Sequence, residues 1–118
     1  MKLKVAVATQ ESDGLKDSVS DVFGRARTFT IVEIEGGRIK AAKVMNNPAT
    51  SLEYGVGPIV TEKLAEEKVN IVIAGDFGPG TSAFLKAKSI RAVKAKAGTN
   101  VRQAVEALLK SEHRGDCR

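Results

Sequence analysis

Two short segments of this sequence carry residue types that hold anions. The first is Gly75-Asp76-Phe77-Gly78-Pro79-Gly80-Thr81-Ser82. Glycines let a ligand approach the main chain closely, and a loop that opens a helix offers unpaired N–H groups at the positive end of the helix dipole. Gly75 and Gly80 are spaced as in a phosphate loop, but Thr81 stands where such a loop needs lysine, so triphosphate hydrolysis is not expected. The same glycines would equally serve a tight turn. The second segment is Ser18-Val19-Ser20-Asp21-Val22-Phe23-Gly24-Arg25-Ala26. Arg25 offers a planar fork of donors to a carboxylate, phosphate or other oxyanion, with Ser18 and Ser20 adding hydroxyls. The alternative has the serines capping a short helical turn, Phe23 in the core and Arg25 paired with Asp21 or a surface acid.

His113 and Cys117 lie four residues apart near the end of the chain. On a continued helix they would share a face and could supply two ligands to a soft metal or a cluster; in a frayed tail they would do neither. Other chemistry is poorly served. The single histidine lies in the tail, which makes a Ser-His-Asp arrangement implausible. The first strand, with Val5-Ala6-Val7-Ala8, has no carboxylate for a two-metal nuclease. One cysteine excludes an internal disulfide. Asp76 is the one acid well placed at a strand end, and it suits a turn equally well. No catalytic residue is expected, and the protein is read as non-enzymatic.

The elements that must position these residues follow from periodicity. Residues 3–9 and 69–74 are short apolar runs that read as buried strands. Residues 28–34 and 39–45 are strand-like and flank Glu35-Gly36-Gly37-Arg38, whose adjacent glycines allow the positive φ angles of a hairpin turn. Val56, Val60 and Leu64 recur at helical spacing around Pro58, which suits a helix start. Ala83, Phe84 and Ala87 form a short apolar stripe after Pro79. Residues 89–95 carry Arg91 and Lys94, as an edge strand does. Asn100 with Gln103 resembles a capping box, and Val101, Ala104, Val105, Leu108 and Leu109 form a helical stripe behind it. The order is β-β-β-α-β-α-β-α, with one α/β domain over residues 1–110 and a flexible charged tail over 111–118.

The chain of 118 residues has 42% hydrophobic residues and few aromatics, so an aliphatic core is expected. No apolar run approaches the ~20 residues that span a bilayer, no signal-type segment is present, and a cytoplasmic location is expected. The net charge is +5, and residues 86–105 hold six basic residues (Lys86, Lys88, Arg91, Lys94, Lys96, Arg102) and no acidic one. That run is either a solvated surface or a face toward an anionic partner. Aromatic stacking residues are absent beside it, so nucleic-acid binding is not favoured.

Crossover connections place consecutive strands parallel. With the first strand central, only the second strand runs against the others. The polar loops over residues 10–25, 46–57 and 75–80 then all follow carboxyl ends and gather at one end of the sheet. In open α/β sheets ligands sit in the crevice beyond those ends, where helices leave towards opposite faces. The gap between the first and fourth strands is the expected switch point.

The Ser18–Ala26 element, then Asn46-Asn47-Pro48, then Gly55-Val56-Gly57, then a strand closing on Gly75 with Gly78 beyond Asp76, resembles the dinitrogenase iron–molybdenum cofactor biosynthesis domain family. The Phe23-Gly24-Arg25-Ala26 stretch is its most telling part, and the similarity covers about the first 110 residues. The resemblance implies a ribonuclease-H-like fold with a mixed five-stranded sheet and three helices. It also implies a carrier of an iron–sulfur or iron–molybdenum cofactor precursor, working with a protein partner in cofactor assembly. Ser18, Ser20, Phe23, Gly24, Arg25, Asn47, Gly55, Gly57, Gly75, Gly78, Gly80 and Thr81 are the candidate binding residues, with His113 and Cys117 the candidate metal ligands. Family members often carry a histidine after the Asn-Pro element; here Ala49-Thr50-Ser51-Leu52-Glu53-Tyr54 has neither His nor Cys. A small-molecule module holding an anion through Gly78, Gly80, Thr81 and Arg25 is the alternative.

Overall fold

The computed structural model describes residues 2–47, 56–77 and 80–116, with residues 56, 57 and 111–116 described by backbone alone. Five strands and three helices follow the expected order: β1 (Lys2–Thr9), β2 (Thr28–Glu35), β3 (Arg38–Asn46), α1 (Val56–Glu66), β4 (Ile71–Ala74), α2 (Thr81–Ala87), β5 (Arg91–Lys94) and α3 (Val101–Asp116). The sheet order is β3-β2-β1-β4-β5. β2 is antiparallel to both β1 and β3, whereas β1–β4 and β4–β5 are parallel. β2 alone therefore opposes the rest, as the ribonuclease-H-like arrangement requires.

Both faces of the sheet are covered. Ala6, Ala8, Phe29 and Ile31 point towards Val60 and Leu64 of α1 and Leu85 of α2. Val5, Val7, Val32 and Ile73 point the other way, onto Val101, Val105 and Leu108 of α3. Burial on both sides explains why β1 and β4 are unbroken apolar runs rather than alternating ones. Each fully buried Val, Leu or Phe side chain contributes about 1.5–3 kcal/mol relative to exposure. The hairpin between β2 and β3 turns on Gly36 and Gly37, at φ 63° and 77°. Two consecutive positive φ angles make the turn whose twist matches the strands it joins.

Several boundaries depart from the pattern in the sequence. α1 begins at Val56, so Pro58 lies inside its first turn, where N–H groups lack helical partners anyway. β4 begins at Ile71 because α1 closes over the preceding residues. The Val69 N–H donates to the Leu64 carbonyl at 3.1 Å, with Lys68 left-handed at φ 61°. α2 closes likewise, with Ser89 at φ 60° and the Ile90 N–H donating to Leu85 at 2.9 Å. In α2 the inward residues are Thr81 and Leu85, while Ala83, Phe84 and Ala87 are exposed. The expected apolar stripe there is corrected: α2 has only 7 residues, about two turns, and its orientation follows the pair that meets the α1-side core. α3 keeps helical backbone to Asp116, past the boundary expected at residue 110. No described helix is long and apolar enough to cross a membrane.

Candidate functional site

The described parts of the loops after β1, β3 and β4 meet at the carboxyl end of the sheet. A short 3₁₀ turn, Phe23–Arg25, lies at their junction. Asn47, the first residue beyond β3, is 4% exposed; its Nδ2 donates to the Gly24 carbonyl at 3.1 Å and to Ala26 at 2.7 Å. From the β4 side, the Asp76 carbonyl accepts from the Phe23 N–H at 2.9 Å. Phe23 is fully buried, with ring centroids 5.4 Å from both Phe29 and Phe77. The turn is thus anchored from three sides while Arg25 is exposed on it.

The gap between β1 and β4 is not an open crevice. The chain fills it with its own segment after β1. The Ser20 N–H donates to Ala8 at 2.7 Å, and the Ser20 carbonyl accepts from Gly75 at 2.8 Å, so this residue bridges the two strand ends. Val19 packs on the α3 side of the sheet and Phe23 on the α1/α2 side. Val19 also exchanges main-chain hydrogen bonds with Thr99 and Gly98, at 2.8 and 2.9 Å. The expected ligand crevice is corrected accordingly: a buried main chain cannot leave its N–H and C=O groups unpaired, and here the two strand ends satisfy the crossing segment.

Gly75 has a reason of the same kind. A Cβ there would stand 2.6 Å from the Asp21 carbonyl oxygen and 3.0 Å from that of Ser20. Close approach of the protein's own backbone accounts for this glycine. Gly80 instead has open space around it but lies at φ 80°, a conformation L side chains seldom adopt. Thr81 is buried and Gly24, Ser18 and Ser20 are half-buried. Gly57 lies on the backbone of α1 and His113 on that of α3, its side chain not described; Gly55, Gly78 and Cys117 lie outside the described residues.

Residues the sequence pattern did not single out hold the loop after β1. Asp17 is 3% exposed, and its carboxylate accepts from the main-chain N–H groups of Ser18 (2.7 Å), Glu11 (3.0 Å) and Asp13 (3.3 Å). Asp17 is thus itself the anion that this loop binds. Beneath it runs a line of buried hydroxyls: Thr30 donates to Thr9 at 3.4 Å, Thr9 and Thr28 are 2.6 Å apart, and Thr28 donates to the Glu11 carbonyl. The threonines of β1 and β2 are the one signal that could have revealed this, since they pair across the strands at Thr9–Thr28. Asn100 caps α3, accepting from the Gln103 N–H at 3.2 Å, and donates to Leu15 at 3.3 Å.

Asp76 acts as a turn residue. Its carboxylate accepts from the Phe77 N–H at 2.9 Å and pairs with Lys94 at 3.3 Å. The N–H first and the ammonium second hold its pKa below the ordinary value. Lys88 of the basic run pairs with Glu62 at 3.1 Å, so at least two of its six cations face acids from other elements. Among the described residues no three His, Cys, Asp or Glu side chains gather to hold a metal ion. The donors here are N–H groups, hydroxyls and a guanidinium. They fit an anion held by charge and hydrogen bonds better than a metal bonded directly to side chains.

Comparison with known proteins agrees with this architecture. A curated relative, the uncharacterised protein MJ0580 of Methanocaldococcus jannaschii, is 32% identical over 94 residues, covering 80% of this chain and 79% of its own. The apo form of the orange protein from Desulfovibrio gigas superposes with a TM-score of 0.82 at 30% identity, covering 92% of this chain and 88% of that one. TM1290 from Thermotoga gives 0.73 at 32% identity, covering 95% and 90%. The dinitrogenase iron-molybdenum cofactor family profile matches residues 1–111, and the chain belongs to that family.

Proposed function

We propose that this protein binds and carries an anionic metal-cluster precursor of the iron–molybdenum cofactor, or a related metal oxyanion, without transforming it, in the cytoplasm. The observation that carries this reading is the anchoring of the Phe23–Arg25 turn, which belongs to the loop after β1, by Asn47 beyond β3 and Asp76 beyond β4. Fixing the turn holds the Arg25 backbone where the loops converge, so less main-chain freedom is lost on binding, which is how preorganised sites gain affinity. Membership of the family supports a cofactor-related cargo. The orange protein's structure is that of an apo form, a term used of a protein that also has a loaded state.

The test is uptake. Protein handled without oxygen is mixed with an iron–molybdenum–sulfur cluster and passed through a desalting column. Charge-transfer absorption that co-elutes with the protein, and falls about tenfold or more in Arg25→Ala, is the expected result, since a charge-assisted contact is being removed. Absence of co-eluting absorption overturns the proposal. Thermal stabilisation by molybdate or phosphate alone, equal to that by the cluster, would assign the site to a free oxyanion.

A further inference from the structure

The sheet ends at β3 on one side and at β5 on the other. β5 has four residues, whereas β3 has nine, and none of the nine is buried. Lysines commonly guard such an edge, but those of β3 are drawn back onto their own fold. Lys40 reaches Glu35 of β2 and Lys43 reaches Glu67 beyond α1, both at 2.8 Å. The register fixes what the edge offers. The Asn47 N–H donates to the Arg27 carbonyl, and the same register runs on through Phe29–Met45, Ile31–Lys43 and Glu33–Ala41. In an antiparallel ladder hydrogen-bonded pairs alternate with non-bonded ones. The N–H and C=O groups of Ala42, Val44 and Asn46 are therefore the ones turned away from β2. Lys40 falls where the register shifts, so residues 42–46 form the regular outward run. Val44, at its middle, is 40% exposed.

We infer that two copies of this chain pair antiparallel along β3, about a two-fold axis at Val44, into one continuous sheet. The alternation limits the registers, since outward residues must meet outward residues. With Val44 opposite the other copy's Val44, Ala42 meets Asn46 and Lys43 faces Met45, so no like charges oppose. That register makes about six main-chain bonds around a β-branched pair. An axis at Lys43 would set two lysines directly opposite, which destabilises a strand pair. An axis at Ala42 would draw in Lys40 and its irregular backbone. Charge then selects a second copy over a foreign strand. A Cβ on Gly14 would stand 3.9 Å from Val44 Cγ2, and Leu15 packs into the α3-side core. The turn holding both therefore lies over the axis on the α3 side. Asp13 and Lys16 flank Gly14; both are exposed, and neither is ion-paired among the described residues. A two-fold axis makes contacts reciprocal, so each acid is set towards the other copy's lysine. A strand of one charge would meet one of the two as a like charge. The paired run ends at Asn46, one residue before the Asn47 that clamps the Phe23–Arg25 turn, yet the pairing does not depend on what that turn carries.

The test is sedimentation of the full chain between about 10 µM and 1 mM, where weak self-association is resolved. The expected mass rises from monomer to dimer and no further, and hydrogen exchange slows at the Ala42, Val44 and Asn46 amides as the dimer fills. Val44→Lys, at an exposed position, sets lysines opposite one another and is expected to weaken the dimer about tenfold or more while the folded spectrum is kept. Asp13→Lys and Lys16→Asp are each expected to weaken self-association several-fold, and mixing the two variants is expected to restore it as a heterodimer. Any of five results overturns the inference: a monomer throughout, growth beyond the dimer, a dimer indifferent to Val44→Lys, unchanged exchange at the three amides, or a mixture no better than either charge variant alone.

Discussion

Asn47 Nδ2 lies 2.7 Å from the Ala26 carbonyl oxygen, tying the end of β3 to the turn that carries Arg25. The same amide donates to Gly24, so both of its protons are spent on main chain, and the residue is 4% exposed. Asn47 therefore acts on a ligand only through the turn it holds. Replacing it with Leu strands two carbonyls, and the loss is expected to be about 2–3 kcal/mol. Urea unfolding measures it, and a loss under 1 kcal/mol would be inconsistent with the clamp.

Gly75→Ala tests the crossing segment. The added methyl meets the Asp21 and Ser20 carbonyls at 2.6 and 3.0 Å, and both are main chain, the Ser20 carbonyl accepting from the Gly75 N–H itself at 2.8 Å. Because neither can swing aside, destabilisation of about 2 kcal/mol or more is expected. An unchanged melting temperature would show that the gap between β1 and β4 is looser than described.

Asp17 should prove as important as any core residue. Asp17→Ala removes the acceptor for three main-chain N–H groups in the loop after β1. A cost of about 2–4 kcal/mol is expected, since hydrogen bonds to a charged group are the stronger kind. Asp17→Asn keeps the shape and should recover only part of it. Amide exchange over residues 10–18 reads the local effect.

Two substitutions should stabilise. Lys68 and Ser89 hold the left-handed position at the ends of α1 and α2, where glycine has no Cβ penalty. Lys68→Gly and Ser89→Gly are each expected to raise stability by up to about 1 kcal/mol, reduced by the greater freedom of glycine in the unfolded chain. A fall in melting temperature for both would contradict the cap geometry.

The pH dependence follows from surface pairs. The hydrogen bond from Lys43 lowers the Glu67 pKa, and Lys43 is raised by the same bond. Asp76 is lowered by the Phe77 N–H and Lys94. For the two carboxylates the folded value lies below the unfolded one. Their contribution is present above the ordinary carboxylate range and is lost as pH falls through the depressed values. For Lys43 the folded value lies above the unfolded one. Its contribution is intact below the ordinary lysine value and is lost as pH rises through the raised one. Lys43→Met should flatten the melting-temperature profile at both ends. A profile parallel to the parent's at acid and alkaline pH would remove the pair from the account.

Much of this molecule is legible in local patterns. The apolar runs at β1 and β4, the Gly36-Gly37 turn and the stripe from Val101 to Leu108 each follow from neighbours a few places apart. With the crossovers, they determine that β2 alone is reversed and that the loops after β1, β3 and β4 share an end. Such signals report periodicity and turn chemistry, which act over one or two turns of chain. What fills the space between β1 and β4 is a contact among Ala8, Ser20 and Gly75, and no local pattern encodes it. Gly75 looked suited to a ligand because a glycine in a loop announces close approach without saying what approaches. Asp17 looked like one more polar loop residue because its three N–H partners become neighbours only when the loop closes. The inward pair in α2, Thr81 and Leu85, was chosen by the core it meets. Sequence periodicity settled which segments become strands and helices and where the loops emerge; packing between distant segments settled which loop residues, such as Asp17 and Asn47, are spent on the fold.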